Sequence, residues 1–226
     1  MFRALLVEDD KDLSVITQMN LMHAKYEVDV AYTCAVALEF LRSNSYDLVL
    51  LDMVLPDSRG DVLCQKIRSA CDCPIIFISC LDDSQTIVNA LRSGGDDYMI
   101  KPICYEELLA RADAVVRRTD SSRKYAQSGQ KVLRQFSIDT VRHRVLRGEE
   151  EIVLSSIEFD ILSFMCEHPD ELLLYKQIYE SVWDSDSLGD VRTVMVHISN
   201  LRKKIDPERT GIIETVRGAG YIFTDI

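Results

Sequence analysis

Four places in the first half of the chain carry residues that could do chemistry together. Glu8-Asp9-Asp10 follows the apolar run 2–7, Asp52 follows Leu48-Val49-Leu50-Leu51, Ser79 closes the run 74–79, and Lys101-Pro102 follows Asp97-Tyr98-Met99-Ile100. Several carboxylates brought together repel one another, and the simple remedy is a hard divalent cation such as Mg²⁺, which takes carboxylate and water oxygens. A lysine beside them adds a point positive charge and a serine adds a hydroxyl donor. With Asp52 as nucleophile, such a set would stabilise the oxygens of a phosphoryl group in transfer. Each piece also has an ordinary use, since an acid after a strand, Asp10 above all, often caps a helix, and Lys-Pro is common in turns. The weight lies in the order, with every member at the end of an apolar run.

The elements that must position these residues are legible in residues 1–118. Strand-like runs at 2–7, 27–30, 47–52, 74–79 and 97–100 alternate with helical patterns, clearest at 34–43 and 105–118. Nearly continuous apolar strands alternating with helices predict an α/β, doubly wound, five-stranded parallel sheet of flavodoxin-like form, covered on both faces. Ligands of such sheets lie beyond the carboxyl ends of the strands. All four candidate positions fall there.

Residues 119–130 are polar, Ser-rich and aperiodic, and read as a linker. In 131–226 the pattern changes to short strands at 132–136, 143–146 and 151–153, then a helix opened by the capping box Ser155-Ser156-Ile157-Glu158. Helices near 175–182 and 191–205 follow, and two strand-like runs joined by Arg217-Gly218-Ala219-Gly220 close the chain as a hairpin. Three helices and a terminal hairpin predict a winged helix-turn-helix domain. The helix at 191–205 contains Arg192, His197, Arg202, Lys203 and Lys204 and no acid, with Val191, Val194, Ile198, Leu201 and Ile205 as its expected buried stripe. A basic helix invites phosphate, although lysines at a helix C-terminus also complement its dipole.

A net charge of −11 argues against a protein that coats nucleic acid indiscriminately, while leaving room for a local basic surface. No apolar run is long enough to span a membrane and the first residues lack a signal-peptide pattern, so a cytoplasmic protein without a membrane partner is expected. The 7 cysteines are odd in number and scattered through mostly apolar segments, and are expected as reduced core thiols. Cys71-Asp72-Cys73 offers a redox or metal feature as the alternative, although one intervening residue is too short a spacing for ordinary zinc ligation.

"LLVEDD", "DLVLLDMVLPDSRG", "PIIFIS" and "GGDDYMIKP" resemble the receiver domain of two-component response regulators over residues 2–118. The resemblance implies that Asp52 accepts phosphate from a sensor histidine kinase and that Glu8, Asp9 and Asp52 hold Mg²⁺. It also implies that Ser79 binds the phosphoryl group, that Lys101 counters its charge through a cis Lys101–Pro102 bond, and that Ser79 and Tyr98 form the switch. Val54 and Leu81 are apolar at positions that control water access in the family, which implies slow autodephosphorylation.

"LSSIEFDILSFM", "VWDSDSLGDVRTVMVHISNLRKKID" and "IIETVRGAGYIF" resemble the winged-helix DNA-binding domain of the OmpR/PhoB subfamily. This implies a helix at 191–205 in the major groove and a wing reaching a minor groove through Arg217, with Arg192, Thr193, His197, Arg202 and Lys204 touching DNA. Asn200 stands where relatives are often basic and offers bidentate pairing with adenine. The segment 183–190 corresponds to a loop that touches RNA polymerase. The same resemblance implies a homodimer through the fourth helix, fifth strand and fifth helix of the receiver. Its intersubunit pairs would be Asp97–Arg111 and Asp96–Arg118 with Glu107 nearby, around an apolar patch of Val88, Leu91 and Leu109. Ile87 stands in place of the usual basic partner of Glu107.

The expected protein is thus a non-enzymatic transcription regulator. Phosphate on Asp52 would control dimerisation and binding to tandem half-sites of double-stranded DNA. A phosphate-independent regulator, constitutively dimeric or modulated by its cysteines, is the first alternative. An aspartyl-phosphate phosphatase is weaker, because Val54 stands where it would need a general acid.

Overall fold

The computed structural model describes residues 2–121, 130–183 and 191–225. It divides into two compact units, Met1–Val116 and Arg117–Ile226. In the first, strands β1 (Phe2–Val7), β2 (Tyr26–Ala31), β3 (Leu48–Leu51), β4 (Ile75–Ser79) and β5 (Asp97–Ile100) form one parallel sheet in the order β2-β1-β3-β4-β5. All four residues of β3 are fully buried, as a strand covered on both faces requires. The helices between are α1 (Lys11–His23), α2 (Cys34–Ser43), α3 (Gly60–Arg68), α4 (Ser84–Arg92) and α5 (Tyr105–Ser121). Helix α5 continues three residues into the segment expected as linker; residues 122–129 lie outside the described residues.

The helix starts are chemically defined. Asp10 caps α1 by accepting from the amides of Asp12 and Leu13 at 2.9 and 3.0 Å, so its carboxylate serves the helix. Asp57 reaches across the chain to cap α2, accepting from Cys34 N and Ala35 N at 2.8 and 2.9 Å.

The second unit opens with an antiparallel sheet of β6 (Gln130–Val132), β7 (Ser137–Asp139), β8 (Arg144–Arg147) and β9 (Glu150–Ile152). The expected strand at 132–136 is instead a turn between β6 and β7, closed by Leu133 N donating to Phe136 O at 2.9 Å. Helices α6 (Ser156–Glu167), α7 (Tyr175–Trp183) and α8 (Val191–Ile205) pack on one another. The capping box at Ser155 and Glu158 is formed. The chain ends in the hairpin β11 (Ile213–Val216) and β12 (Gly220–Phe223), joined by the unforeseen strand β10 (Leu172–Leu174) on the far side of β12. A methyl group on Gly220 would lie 1.9 Å from Leu173 O, so only glycine permits β10 to pair there.

Candidate functional site

The carboxyl ends of β1, β3, β4 and β5 bring the acidic set, Ser79 and Lys101 to one edge. Asp52 and Glu8 are buried, Asp9 is exposed, and ligand atoms of the three lie within 4.8 Å of one another. The Lys101 ammonium donates to Asp52 Oδ2 at 2.5 Å and to Glu8 Oε2 at 2.7 Å. Two buried carboxylates are thus held together by a cation that the fold supplies, from the residue preceding the cis Lys101–Pro102 bond. Burial would push the Lys101 ammonium down, but its hydrogen bonds and charge attraction to Asp52 and Glu8 outweigh this and raise it. Glu8 is raised, because burial exceeds the help it receives from Lys101.

The other oxygen of Asp52, Oδ1, accepts from Val54 N at 3.1 Å. Val54 also bridges to Arg59, closing a short loop that returns the chain to Gly60 at the start of α3. Gly60 N donates to Met53 O at 3.0 Å, and a Cβ on Gly60 would lie 2.2 Å from Asp52 O. The glycine of "DSRG" therefore lets α3 lie directly against the backbone that carries Asp52, a role the sequence reading did not assign. Ser79 is buried, with Oγ accepting weakly from Leu81 N at 3.5 Å. Tyr98 is buried and donates from its hydroxyl to Leu81 O at 2.6 Å, and burial pushes its pKa up to about 12. Ser79 and Tyr98 thus both meet the backbone of Leu81.

Of the pairs expected between subunits, Asp97–Arg111 forms within the chain, and Asp96 pairs with Arg68. Arg111 Nη1 donates to Asp97 Oδ2 at 2.5 Å and its Nη2 to Glu107 Oε1 at 2.6 Å. Asp96 accepts from Arg68 Nη2 at 2.5 Å and from Ile75 N at 2.7 Å. Leu91 is only 1% exposed and cannot belong to a surface patch, whereas Val88 and Leu109 are half-buried. The side chain of Arg118 lies outside the described residues.

Helix α8 also departs from expectation. Thr193 and His197 are buried in the interior of the second unit, His197 against Trp183 with ring centres 5.7 Å apart, so neither presents itself to DNA. Val191, expected in the buried stripe, is 44% exposed, and Met195 is exposed beside it. Arg202 donates to Ile213 O and, at 2.8 Å, to Thr215 Oγ1, fastening α8 to the wing. Lys204 donates to Glu158 Oε2 at 2.7 Å. The outward face combines half-buried Arg192, Ser199, Asn200 and Arg202 with exposed Met195 and Lys203, and Arg217 is exposed on the wing. Residues 184–190, including most of the segment expected to touch RNA polymerase, lie outside the described residues.

Family models agree with this division. Residues 4–113 match the response regulator receiver domain and residues 148–223 the C-terminal domain of transcriptional regulatory proteins. The chain is 36% identical over 223 residues to response regulator ArlR of Staphylococcus aureus, covering 98% of this chain and 99% of the relative. Among solved structures, DrrB, an OmpR/PhoB homologue of Thermotoga maritima, matches at 28% identity and TM-score 0.50, over 99% of each chain. A RitR mutant in which a cysteine is replaced matches at 29% identity and TM-score 0.78, over the full length of both.

Proposed function

Because the chain belongs to the response regulators of the OmpR/PhoB type, which join a receiver to a winged-helix DNA-binding domain, we propose that Asp52 is its phosphoacceptor. The donor would be a sensor histidine kinase. A carboxylate oxygen of Asp52 forms the new bond to phosphorus as the phosphorus–nitrogen bond of the donor histidine breaks. The observation that carries this is the Lys101 ammonium held between Asp52 and Glu8 at the sheet edge.

Glu8, Asp9 and Asp52 would hold Mg²⁺. The donor set is all oxygen, as that ion prefers, and Glu8 and Asp52 already share one cation in Lys101. Bound there, Mg²⁺ would neutralise charge developing on the phosphoryl oxygens. Val54 N fixes the orientation of the Asp52 carboxylate, Lys101 is placed to follow the new negative charge, and Ser79 can donate its hydroxyl. Because Ser79 and Tyr98 both meet Leu81, a shift of Ser79 toward phosphate would reach the Tyr98 hydroxyl through that peptide. Helix α1 starts at the site and leaves Val15, Ile16, Met19 and Met22 about half exposed, an apolar surface suited to a protein donor.

The phosphorylated form would dimerise through α4, β5 and α5 and place two winged helices on tandem half-sites, with RNA polymerase as a further partner. Arg192, Asn200, Lys203 and Arg217 are the groups best placed for DNA. The test is incubation with acetyl phosphate and Mg²⁺, following intact mass and DNA binding for wild type and Asp52→Ala. The expected result is a phosphoryl adduct and tighter DNA binding for wild type alone. No wild-type adduct, with DNA binding unaffected, would favour a phosphate-independent regulator.

A further inference from the structure

Cys71 and Cys73 lie between the end of α3 and the start of β4, in a stretch that is neither helix nor strand. Their sulfurs are 3.3 Å apart. Cys71 is exposed and Cys73 half-buried, contrary to the expectation of core thiols, which only Cys34, Cys64 and Cys166 fulfil. We propose that Cys71 and Cys73 form a peroxide-responsive dithiol, in which Cys71 attacks the oxidant and Cys73 closes a reversible disulfide within the receiver.

The geometry assigns the two roles. Arg68 donates from Nη1 to the carbonyl of Cys73, while its Nε holds Gly94 O at 2.8 Å and its Nη2 holds Asp96. Arg68, itself fastened to Gly94 and Asp96, thus holds the carbonyl of half-buried Cys73, whereas the Cys71 side chain is exposed to solvent and to an oxidant. A disulfide needs the sulfurs at about 2.05 Å, so they must close by about 1.3 Å, within reach of side-chain rotation in an irregular segment.

Electrostatics points the same way. The Cys71 thiol is drawn down to about 6, chiefly by hydrogen bonding with Cys73, with Arg68 adding a smaller attraction against the opposing effect of burial. Cys73 is pushed up by that hydrogen bond and by burial. The opposite shifts favour the thiolate on Cys71 and the proton on Cys73, the division that a nucleophile and a resolving thiol require. Cys34 and Cys64 are pushed up to about 11 and Cys166 to about 12, mainly by burial, and are poor nucleophiles. A structural metal is disfavoured, since among the described residues the only cluster of three or more candidate ligands is Glu8, Asp9 and Asp52.

The step balances with hydrogen peroxide as oxidant. The Cys71 thiolate attacks one peroxide oxygen, the oxygen–oxygen bond breaks, and the leaving hydroxide takes a proton to become water. The resulting Cys71 sulfenic acid is attacked by the Cys73 sulfur, which gives up its proton. The sulfur–oxygen bond breaks and a second water leaves. Two thiols are oxidised to one disulfide as one peroxide is reduced to two waters.

The test treats the full chain with graded hydrogen peroxide, alkylates remaining thiols with iodoacetamide and maps the peptides by mass. Cys71 and Cys73 should lose alkylation together, on a peptide lighter by two hydrogens, at doses that leave Cys80 and Cys104 alkylatable. Dithiothreitol should restore both. In Cys73→Ser, dimedone should trap a sulfenic acid on Cys71, and in Cys71→Ser the Cys73 thiol should stay reduced at the same dose. The alkylation rate of Cys71 should rise with a midpoint near pH 6. Cys71 and Cys73 remaining alkylatable while Cys80 and Cys104 oxidise would overturn the proposal, as would wild-type oxidation of Cys73 in Cys71→Ser. Should a variant fail to fold, the wild-type peptide map decides alone.

Discussion

Gly60→Ala tests whether the loop after β3 positions Asp52. The added methyl would fall 2.2 Å from Asp52 O and 2.9 Å from Met53 Cα, both backbone atoms with no flexible side chain to yield. Non-bonded carbon and oxygen sit comfortably at about 3.5 Å, so α3 and the end of β3 must part by about 1 Å. Such overpacking costs about 1–3 kcal/mol. The larger effect should be chemical, since Asp52 is held by Lys101 at 2.5 Å and Val54 N at 3.1 Å, and an ångström of misplacement can cost about 10²-fold in rate. Phosphorylation by acetyl phosphate, followed by intact mass, should slow by roughly 10- to 100-fold. Urea unfolding provides an internal control. Trp183 is the sole tryptophan and lies in the second unit, so its fluorescence transition should stay in place while the circular-dichroism transition of the receiver moves to lower urea. An unchanged receiver transition together with an unchanged phosphorylation rate would refute the reasoning.

Lys101→Ala removes the cation shared by Glu8 and Asp52, so Mg²⁺ measured calorimetrically should bind about tenfold tighter, the equivalent of one charge-assisted hydrogen bond. Unchanged or weaker binding would mean that lysine and metal do not compete. Val54 is 58% exposed at the mouth of the site, and Val54→Asn, which can orient water, should shorten the acyl-phosphate lifetime on the order of tenfold. A wild-type half-life of seconds would remove the premise. Asp206 accepts from Thr210 N, Gly211 N and Ile212 N at 2.7, 3.0 and 3.3 Å. Burial opposes these bonds, but they prevail and hold its pKa below the ordinary 3.8. Its stabilisation is therefore present above pH 3.8 and lost as pH falls through the lower folded value. Asp206→Asn should lower the urea stability of the second unit by about 1.5–3 kcal/mol at pH 7, and this difference should shrink once the pH is taken below 3.8.

The acidic site was legible because parallel strands make one statement about many residues. Once β1, β3, β4 and β5 are read as parallel neighbours, Glu8, Asp52, Ser79 and Lys101 must share an edge. Residues whose meaning depends on a neighbour from elsewhere in the sequence were not legible. Gly60 matters through the carbonyl of Asp52, and Gly220 through that of Leu173, contacts no local pattern encodes. Helix α8 was read with a narrow apolar stripe, but it packs on both α6 and α7, which widens its buried arc to take in Thr193 and His197 and leaves Val191 outside. In β10, three leucines in a row hid the alternation that the sheet imposes, with Leu173 buried between two partly exposed neighbours. Four cysteines read as core thiols are exposed or half-buried, because they sit beyond the ends of the apolar runs that flank them.

Charge pairing on α4, β5 and α5 illustrates a limit of spacing arguments, because opposite charges in sequence do not reveal whether they meet within a chain or across two. Asp97 is fully buried, and its carboxylate is held by Arg111 at 2.5 Å and by Tyr98 N at 2.8 Å. Arg111 also spans to Glu107. An intersubunit Asp97–Arg111 pair would first have to break this one, so it would exchange contacts and add little net attraction. The driving force for a dimer on this face would then have to come from the half-buried Val88 and Leu109 and from phosphate-dependent movement of β5. Arg111→Ala separates the two arrangements. With the pair internal, it strands a buried carboxylate and should lower receiver stability by about 3–5 kcal/mol, at protein concentrations where sedimentation shows only monomer. With the pair formed solely between subunits, the monomer would keep its stability and only phosphorylation-dependent association would weaken. A stable monomeric variant would return Asp97 and Arg111 to the interface; an unstable one makes them part of what holds β5 to α5.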